Sequence, residues 1–156
     1  MKFVLDGMLG RLTRWLRLLG YDSKYSGDSQ DDELLKIARK EDRILLTNDT
    51  ALYRQARKQG LQSYLTDGDD ETERLANIAR DLKIDLNIDV SVSRCPTCNS
   101  SIFETENFKV KGKVSSRTFN SYHQFWMCSG CGKIYWRGSH WKKIEETLRA
   151  AREKIE

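Results

Sequence analysis

Four cysteines, arranged as two Cys-x-x-Cys pairs, constrain the fold of this 156-residue chain more than any other feature. The pairs are Cys95 with Cys98 and Cys128 with Cys131, and 29 residues separate them. Two thiolates two residues apart in a tight turn can both reach one Zn²⁺ at about 2.3 Å, and two such turns complete a tetrahedron. The pattern therefore predicts one structural zinc ion, in preference to disulfides or a redox-active pair.

The position of the cysteines also predicts two domains, residues 1–93 and residues 94–156. The gap between the pairs exceeds the roughly 15–20 residues of the commonest zinc-site spacing. We therefore expect an inserted β-hairpin, built from residues 108–114 and 119–127. The second domain is predicted to be a small four-cysteine zinc ribbon followed by a C-terminal helix.

Charge differs between the two predicted domains. Residues 1–93 hold 15 Lys and Arg against 17 Asp and Glu, whereas residues 94–156 hold 12 against 6. The net charge is −2 for the first part and +6 for the second. Such an asymmetry is typical of a protein whose basic part binds a polyanion. Ordinary scatter of surface charge explains the difference equally well.

The chain shows no sign of a membrane or secreted protein. No apolar run approaches the roughly 20 residues of a membrane span, and the N-terminus lacks a signal-peptide pattern. Charged residues of both signs make up 32% of the chain and there is a single proline, so no segment reads as disordered. We expect a soluble, cytoplasmic protein.

Strand-like and helix-like segments alternate in the first domain. The predicted strands are 3–6, 43–47 and 61–66. The predicted helices are 9–19, one that starts within 29–32 and extends to 38, 50–59 and 75–82. This alternation predicts an α/β fold, a parallel sheet flanked by helices on both faces. Arg11, Arg14 and Arg17 lie off the apolar face of the first helix. In the second domain, apolar residues of 141–155 fall on one helical face, which predicts a closing helix docked on the body of the protein.

Aspartates follow the predicted strands, namely Asp6, Asp49 and Asp67, while Asp31 and Asp32 open a helix between the first two. Ligands of open parallel sheets bind at the carboxyl ends of the strands. Several carboxylates brought together there repel one another unless a divalent cation neutralises them. Mg²⁺ or Mn²⁺ takes such oxygen ligands and activates water, so the set predicts phosphodiester cleavage. Any single aspartate would serve equally well as a turn former or helix cap.

Aromatic and basic residues are interleaved after the last cysteine. Aromatic faces stack on unpaired bases, while Lys and Arg neutralise phosphates. The pattern favours a site for single-stranded or looped RNA. The candidate residues for RNA binding in this segment are Lys133, Arg137, His140, Lys142 and Lys143, and Arg11 and Arg14 of the first helix are added to them. Trp136 and Trp141 fit either base stacking or packing on the first domain, and a structural role for His140 is the alternative to a phosphate contact.

Four stretches, in order, carry a family resemblance: FVLDGMLGRLTRWLRLLGYD, DDELLKIARKEDRILLTND, RCPTCN and CGKIYWRGSHW. They extend through nearly the whole chain, and the last is the most specific. The chain resembles the PIN-like RNase family named after the C-terminal domain of the Mut-seven exonuclease, in which a PIN-type nuclease domain precedes a zinc ribbon.

The resemblance implies a metal-dependent endoribonuclease. It implies that Asp6, Asp31 and Asp49 bind catalytic Mg²⁺ or Mn²⁺, with Asp32 as the rival of Asp31 and Asp67 as the best placement of a fourth acid. The expected partner is RNA, with tRNA, rRNA and the ribosome as candidates. Two alternatives stay open: a non-catalytic RNA- or ribosome-binding adaptor that keeps the PIN-like shape, and a nuclease directed at DNA.

Overall fold

A four-stranded parallel sheet forms the first part of the protein in the computed structural model, which describes residues 1–156. Strands and helices alternate along it: β1 Lys2–Leu5, α1 Gly10–Leu18, β2 Asp22–Tyr25, α2 Asp31–Lys40, β3 Ile44–Thr47, α3 Thr50–Lys58, β4 Ser63–Leu65 and α4 Glu71–Leu82. The strand order is β2-β1-β3-β4, and every neighbouring pair is parallel. The predicted α/β fold is confirmed.

The central strands are apolar on both faces because helices cover both. Phe3 and Leu5 of β1 belong to a buried cluster formed with α1 and α4. Val4, between them, belongs to a second cluster, formed with α2 and α3. The alternation of side chains along a strand thus places one helix pair on each side of the sheet.

Strand β2 is absent from the sequence prediction. Its sequence is Asp-Ser-Lys-Tyr, and only Ser23 is fully buried. It is an edge strand that pairs with β1 alone. An edge strand needs no continuous apolar run, so the pattern that reveals β1 and β3 is missing here.

The second part of the protein contains a small antiparallel sheet with the order β5-β6-β7. Its strands are β5 Ile102–Thr105, β6 Phe125–Cys128 and β7 Ile134–Tyr135. The predicted inserted hairpin is wrong, because two short helices, α5 Asn107–Val110 and α6 Ser116–Ser121, connect β5 to β6. Ser115 caps α6 by accepting a hydrogen bond from the Thr118 N–H at 3.1 Å, and Val110 is fully buried. These local signals favour helical turns over strands.

The last helix, α7 Trp141–Ile155, returns to the first part of the protein. Leu148 and Ala151 are buried in the same cluster as Leu75 and Ile78 of α4. The predicted docking of the closing helix is therefore confirmed. The first cluster consists of residues from the α/β part and α7, the second of residues from the α/β part alone, and neither includes a residue of the small sheet or its insertion. None of the seven helices has the length and apolar character needed to cross a membrane.

Candidate active site and metal centre

Asp6 lies at the carboxyl edge of the sheet, directly after β1. The chain connects β1 to β2 on one side and β3 to β4 on the other, so the strand order reverses between β1 and β3. At such a point the carboxyl ends of neighbouring strands form a crevice in which parallel sheets bind ligands. Asp6 is only 7% exposed. One carboxylate oxygen, Oδ1, accepts a hydrogen bond from the Met8 N–H at 2.9 Å, and Oδ2 accepts one from the Thr47 hydroxyl. The carboxylate is therefore held in one orientation.

Thr47 connects Asp6 to Asp49. It is the last residue of β3, and its buried hydroxyl accepts a hydrogen bond from the Asp49 N–H at 3.0 Å while donating to Asp6. The Asp49 carboxylate caps α3, because Oδ1 accepts from the N–H groups of Ala51 and Leu52 at 2.8 and 3.3 Å. Its other oxygen, Oδ2, accepts no hydrogen bond from the chain, so Asp49 keeps one oxygen available for a ligand.

Asp31 reaches the same edge through the loop after β2. Gly7 touches this loop: a Cβ atom added to Gly7 would lie 2.7 Å from the carbonyl oxygen of Gly27. The Tyr25 hydroxyl donates to the Gly7 carbonyl at 2.9 Å and ties the two loops together. Asp31 is the exposed first residue of α2. Its rival, Asp32, lines a shallow surface groove between α2 and the end of α3.

Asp67 stands at the margin of this edge. It follows β4, and β3 separates that strand from β1. Since neighbouring strands lie about 4.8 Å apart, the ends of β4 and β1 are roughly 10 Å apart. Asp67 is exposed, and its Oδ1 accepts a hydrogen bond from the Asn77 side chain at 3.1 Å.

All four predicted aspartates thus lie in segments at the carboxyl edge of the sheet, but no three of their carboxylates lie within a few ångströms of one another. Only the four cysteines form a group of three or more His, Cys, Asp or Glu whose ligand atoms lie within 4.8 Å of one another. The donor set at the edge nevertheless consists of carboxylate and hydroxyl oxygens, which suit Mg²⁺ or Mn²⁺ bound partly through water.

The four cysteine sulfurs meet between the two turns. Sγ of Cys95 lies 3.7 Å from Sγ of Cys131, and Sγ of Cys98 lies 3.3 Å from Sγ of Cys128. A tetrahedral zinc ion with Zn–S bonds of about 2.3 Å requires sulfurs roughly 3.8 Å apart. No pair approaches the bond length of a disulfide, and all four cysteines are free. The predicted convergence of the cysteines is confirmed, and their geometry fits one zinc ion.

Hydrogen bonds prepare the sulfurs for a metal. The N–H groups of Gly130 and Cys131 donate to Sγ of Cys128 at 3.3 and 3.4 Å. Hydrogen bonds from Ser100 lower the pKa of Cys98 to about 6, whereas burial raises that of Cys128 to about 11. A bound metal ion deprotonates its thiol ligands outright. These donors therefore support a set of thiolates around zinc.

Arg17 ties the first cysteine turn to the parallel sheet. Its side chain is buried, with Nε donating to the Ser23 carbonyl at 2.9 Å and Nη1 donating to the carbonyls of Pro96 and Thr97 at 2.9 and 3.2 Å. The prediction that Arg17, like Arg11 and Arg14, lies off the apolar face of α1 is wrong, because its side chain is buried. Arg17 lies one helical turn after the buried Thr13, at the edge of the apolar face. This spacing is the sequence signal from which its burial could have been predicted.

Asn99 also connects the first cysteine turn to the start of β2. Its side chain accepts a hydrogen bond from the Ser23 N–H at 3.0 Å and donates one to Asp22 at 2.8 Å. Burial alone would raise the pKa of Asp22, but hydrogen bonds from Arg43 and Asn99 outweigh it and lower the pKa to about 2. Asp22 therefore stays ionised near neutral pH. The first cysteine turn docks at the amino end of β2, opposite the edge that carries Asp6.

Replacing Arg17 with methionine should weaken this docking. Methionine keeps an apolar stem but removes three donated hydrogen bonds and leaves buried carbonyls without a partner, which costs about 3 kcal/mol. Urea unfolding should show that loss, and hydrogen exchange should show faster exchange over residues 94–101. Arg14→Met, on the exposed side of the same helix, is the control and should stay within about 0.5 kcal/mol of the parent. Equal stability of the two variants would contradict the anchoring role.

The side chains predicted to bind RNA are all exposed, and none of them forms a salt bridge within the chain. Arg11 and Arg14 lie one turn apart on α1. The others surround the end of β7 and the start of α7: Lys133, Arg137, His140, Lys142 and Lys143. Neither tryptophan is among the residues packed on the buried cluster that contains Phe3 and Leu5 of the sheet. The Trp136 ring lies beside Phe125 and Tyr122, and Arg137 lies over the ring of Trp141.

The comparisons with known proteins agree with this architecture. No curated protein and no solved structure matches the chain. A family model described as the Mut7-C RNAse domain matches residues 1–148, which leaves out only the end of α7. The match spans both the aspartates and the four cysteines, so the chain belongs to the Mut7-C RNase domain family.

Proposed function

We propose that this protein is a metal-dependent endoribonuclease that hydrolyses single-stranded or looped RNA. The observation that carries the proposal is Asp6, a carboxylate only 7% exposed that has no cationic partner in the chain. A buried charge is costly unless it is paired or binds a metal ion. Membership of an RNase domain family supports a nuclease, and the position of Asp6 at the switch point of the sheet supports a ligand there.

The residues of this edge have distinct roles in the proposal. Asp6, Asp31 and Asp49 would hold Mg²⁺ or Mn²⁺, with Asp67 at the margin. Such a cation supplies an activated water and neutralises charge on the phosphate. The Thr47 hydroxyl donates to the Asp6 carboxylate and fixes its orientation, and it also accepts a hydrogen bond from the Asp49 N–H. Thr47 is thus a positioning residue.

Helix α1 joins the carboxylate edge to the zinc-binding part. It begins at Gly10, four residues after Asp6, and Arg17 near its end binds the first cysteine turn. Its nine residues span about 13 Å at 1.5 Å per residue. Arg11 and Arg14 are exposed along it. RNA bound by the basic second part can therefore extend along α1 to the carboxylates, with these arginines contacting phosphates.

A circular RNA without ends tests the proposal directly. Protein with its zinc content verified should convert the circle to linear RNA when Mn²⁺ or Mg²⁺ is added, and should leave it intact without added cation. Cleavage of a circle requires an endonuclease, and a DNA circle of the same sequence tests the preference for RNA. Binding of the RNA without cleavage under every condition would contradict the ribonuclease and favour the RNA-binding adaptor.

A further inference from the structure

A groove of about 660 Å³ lies between α6 and the segment that joins β7 to α7. One wall comes from the insertion, with Arg117 and Tyr122, and the other from Trp136, His140 and Trp141. We call it the aromatic groove. The insertion is not among the segments predicted to bind RNA, and its contribution becomes visible only because α6 lines the same groove as β7 and the start of α7.

The rings of the aromatic groove are held in place. Trp136 lies 6.2 Å from Phe125 in an edge-on arrangement and 6.5 Å from Tyr122, measured between ring centroids. A Cβ atom on Gly138 would lie 2.9 Å from Nε1 of Trp136, so the glycine lets the indole lie against the backbone. Arg137 extends over the ring of Trp141, with its guanidinium carbon 5.2 Å from the ring centroid. Such fixed rings lose little freedom when a ligand stacks on them.

The charge of the aromatic groove is of one sign. Arg117 and Lys133 line it, and neither forms a salt bridge. None of its lining residues is Asp or Glu, although the chain contains 23 of them. A second groove, of about 440 Å³ along α7, is lined by charges of both signs, with Glu145 and Glu146 beside Lys142, Arg149 and Arg152. The aromatic groove thus combines flat apolar faces with unpaired cations.

We infer that the aromatic groove binds unpaired nucleotides of the RNA, with bases stacked on its half-buried rings and phosphates on Arg117 and Lys133; this rests on the proposed function. The volume lies within the range of about 300–1,000 Å³ for ligand sites. An apolar peptide would leave both cations without a partner. A duplex keeps its bases stacked on one another and offers the rings no free base. A single strand provides both the base faces and the phosphates.

Binding of a labelled oligo(U) of about ten nucleotides, followed by fluorescence anisotropy without added Mg²⁺ or Mn²⁺, tests this inference. Trp141→Leu should weaken binding about tenfold, the loss typical of one stacked base. Arg117→Gln, an exposed change that spares the core, should flatten the dependence of log affinity on log salt by about 0.7. Arg149→Gln is the matched control, since Arg149 is an exposed cation of α7 that does not line the aromatic groove. It should leave the slope unchanged.

Two results would overturn the inference: both groove variants binding like the control, or a duplex of equal length binding as tightly as the single strand. Single-stranded DNA offers the same base faces and phosphates and should bind no more tightly than RNA, so tighter binding of the DNA would overturn RNA as the occupant. The binding assay is independent of cleavage. If the parent protein cleaves RNA and the groove variants bind RNA as tightly as the control, only the role of the groove is refuted. If the groove variants lose affinity for single-stranded RNA but no variant or parent cleaves it, only the ribonuclease is refuted.

Discussion

Replacing Asp6 with asparagine should reduce RNA cleavage by a factor on the order of one hundred or more, because a lost metal contact in the transition state commonly costs several kcal/mol. The fold should survive. The asparagine oxygen can still accept from the Met8 N–H, and the Thr47 hydroxyl can rotate to accept from the new amide. Stability should stay equal or rise slightly, because charge repulsion at the edge decreases. Cleavage rates in Mn²⁺ and a thermal unfolding curve measure both effects.

Two further variants make the result specific. Glu153→Gln removes an exposed acid of α7 and should leave cleavage unchanged. Asp67→Asn should cost much less than Asp6→Asn, since Asp67 stands at the margin and is hydrogen-bonded to Asn77. An Asp6→Asn protein that cleaves RNA as fast as the parent would show that the activity arises at another site or from a contaminant.

Removal of zinc should unfold residues 94–140, which hold the small sheet and its insertion, while the parallel sheet and α7 remain. The small sheet and its insertion contribute no residue to either buried cluster and bury few apolar side chains of their own, chiefly Val110, Phe125 and Trp126, so we expect bound zinc to supply much of their stability. Zinc binding is worth about 10–16 kcal/mol in isolated zinc-finger peptides. Protein purified without added metal should contain about one zinc per chain. Cys128→Ser should lose that zinc and exchange its amide hydrogens rapidly over residues 94–140.

The α/β core provides the internal control for this loss. Amides of β1 and β3 should stay protected in Cys128→Ser, because both strands lie in clusters to which residues 94–140 contribute nothing. Ser129→Ala, beside the same cysteine but exposed, should retain zinc. A disulfide in either pair, with no metal present, would contradict the zinc centre. Global unfolding of the chelated protein would contradict its independence from the core.

The sequence revealed those features whose signals are local. Each Cys-x-x-Cys pair occupies four consecutive residues, and the aspartates follow apolar segments of recognisable length. The alternation of strand and helix then implied a parallel sheet, which brought those aspartates to one edge. Docking of α7 was visible because Leu148 and Ala151 share one helical face.

Features that depend on distant contacts were missed. The hydrogen bond from Thr47 to Asp6 joins residues 41 positions apart, and the bond from Arg17 to Pro96 joins residues 79 apart. An arginine reads as exposed unless its partners are known, since burial of a charge depends entirely on them. The insertion was misassigned because its helices have only four and six residues, too short for a helical repeat to be distinguished from a strand.

Both ends of the zinc-binding part are fixed in the core, at Leu86 before it and at Leu148 after it. A module on a flexible linker samples many positions, and its bound ligand meets a second site at an effective concentration set by linker length. Here no such linker exists, because Arg17 and Asn99 also hold the first cysteine turn against the sheet. In the proposed ribonuclease, an RNA bound by the second part would therefore meet the carboxylates at an effective concentration set by a fixed geometry and not by a linker.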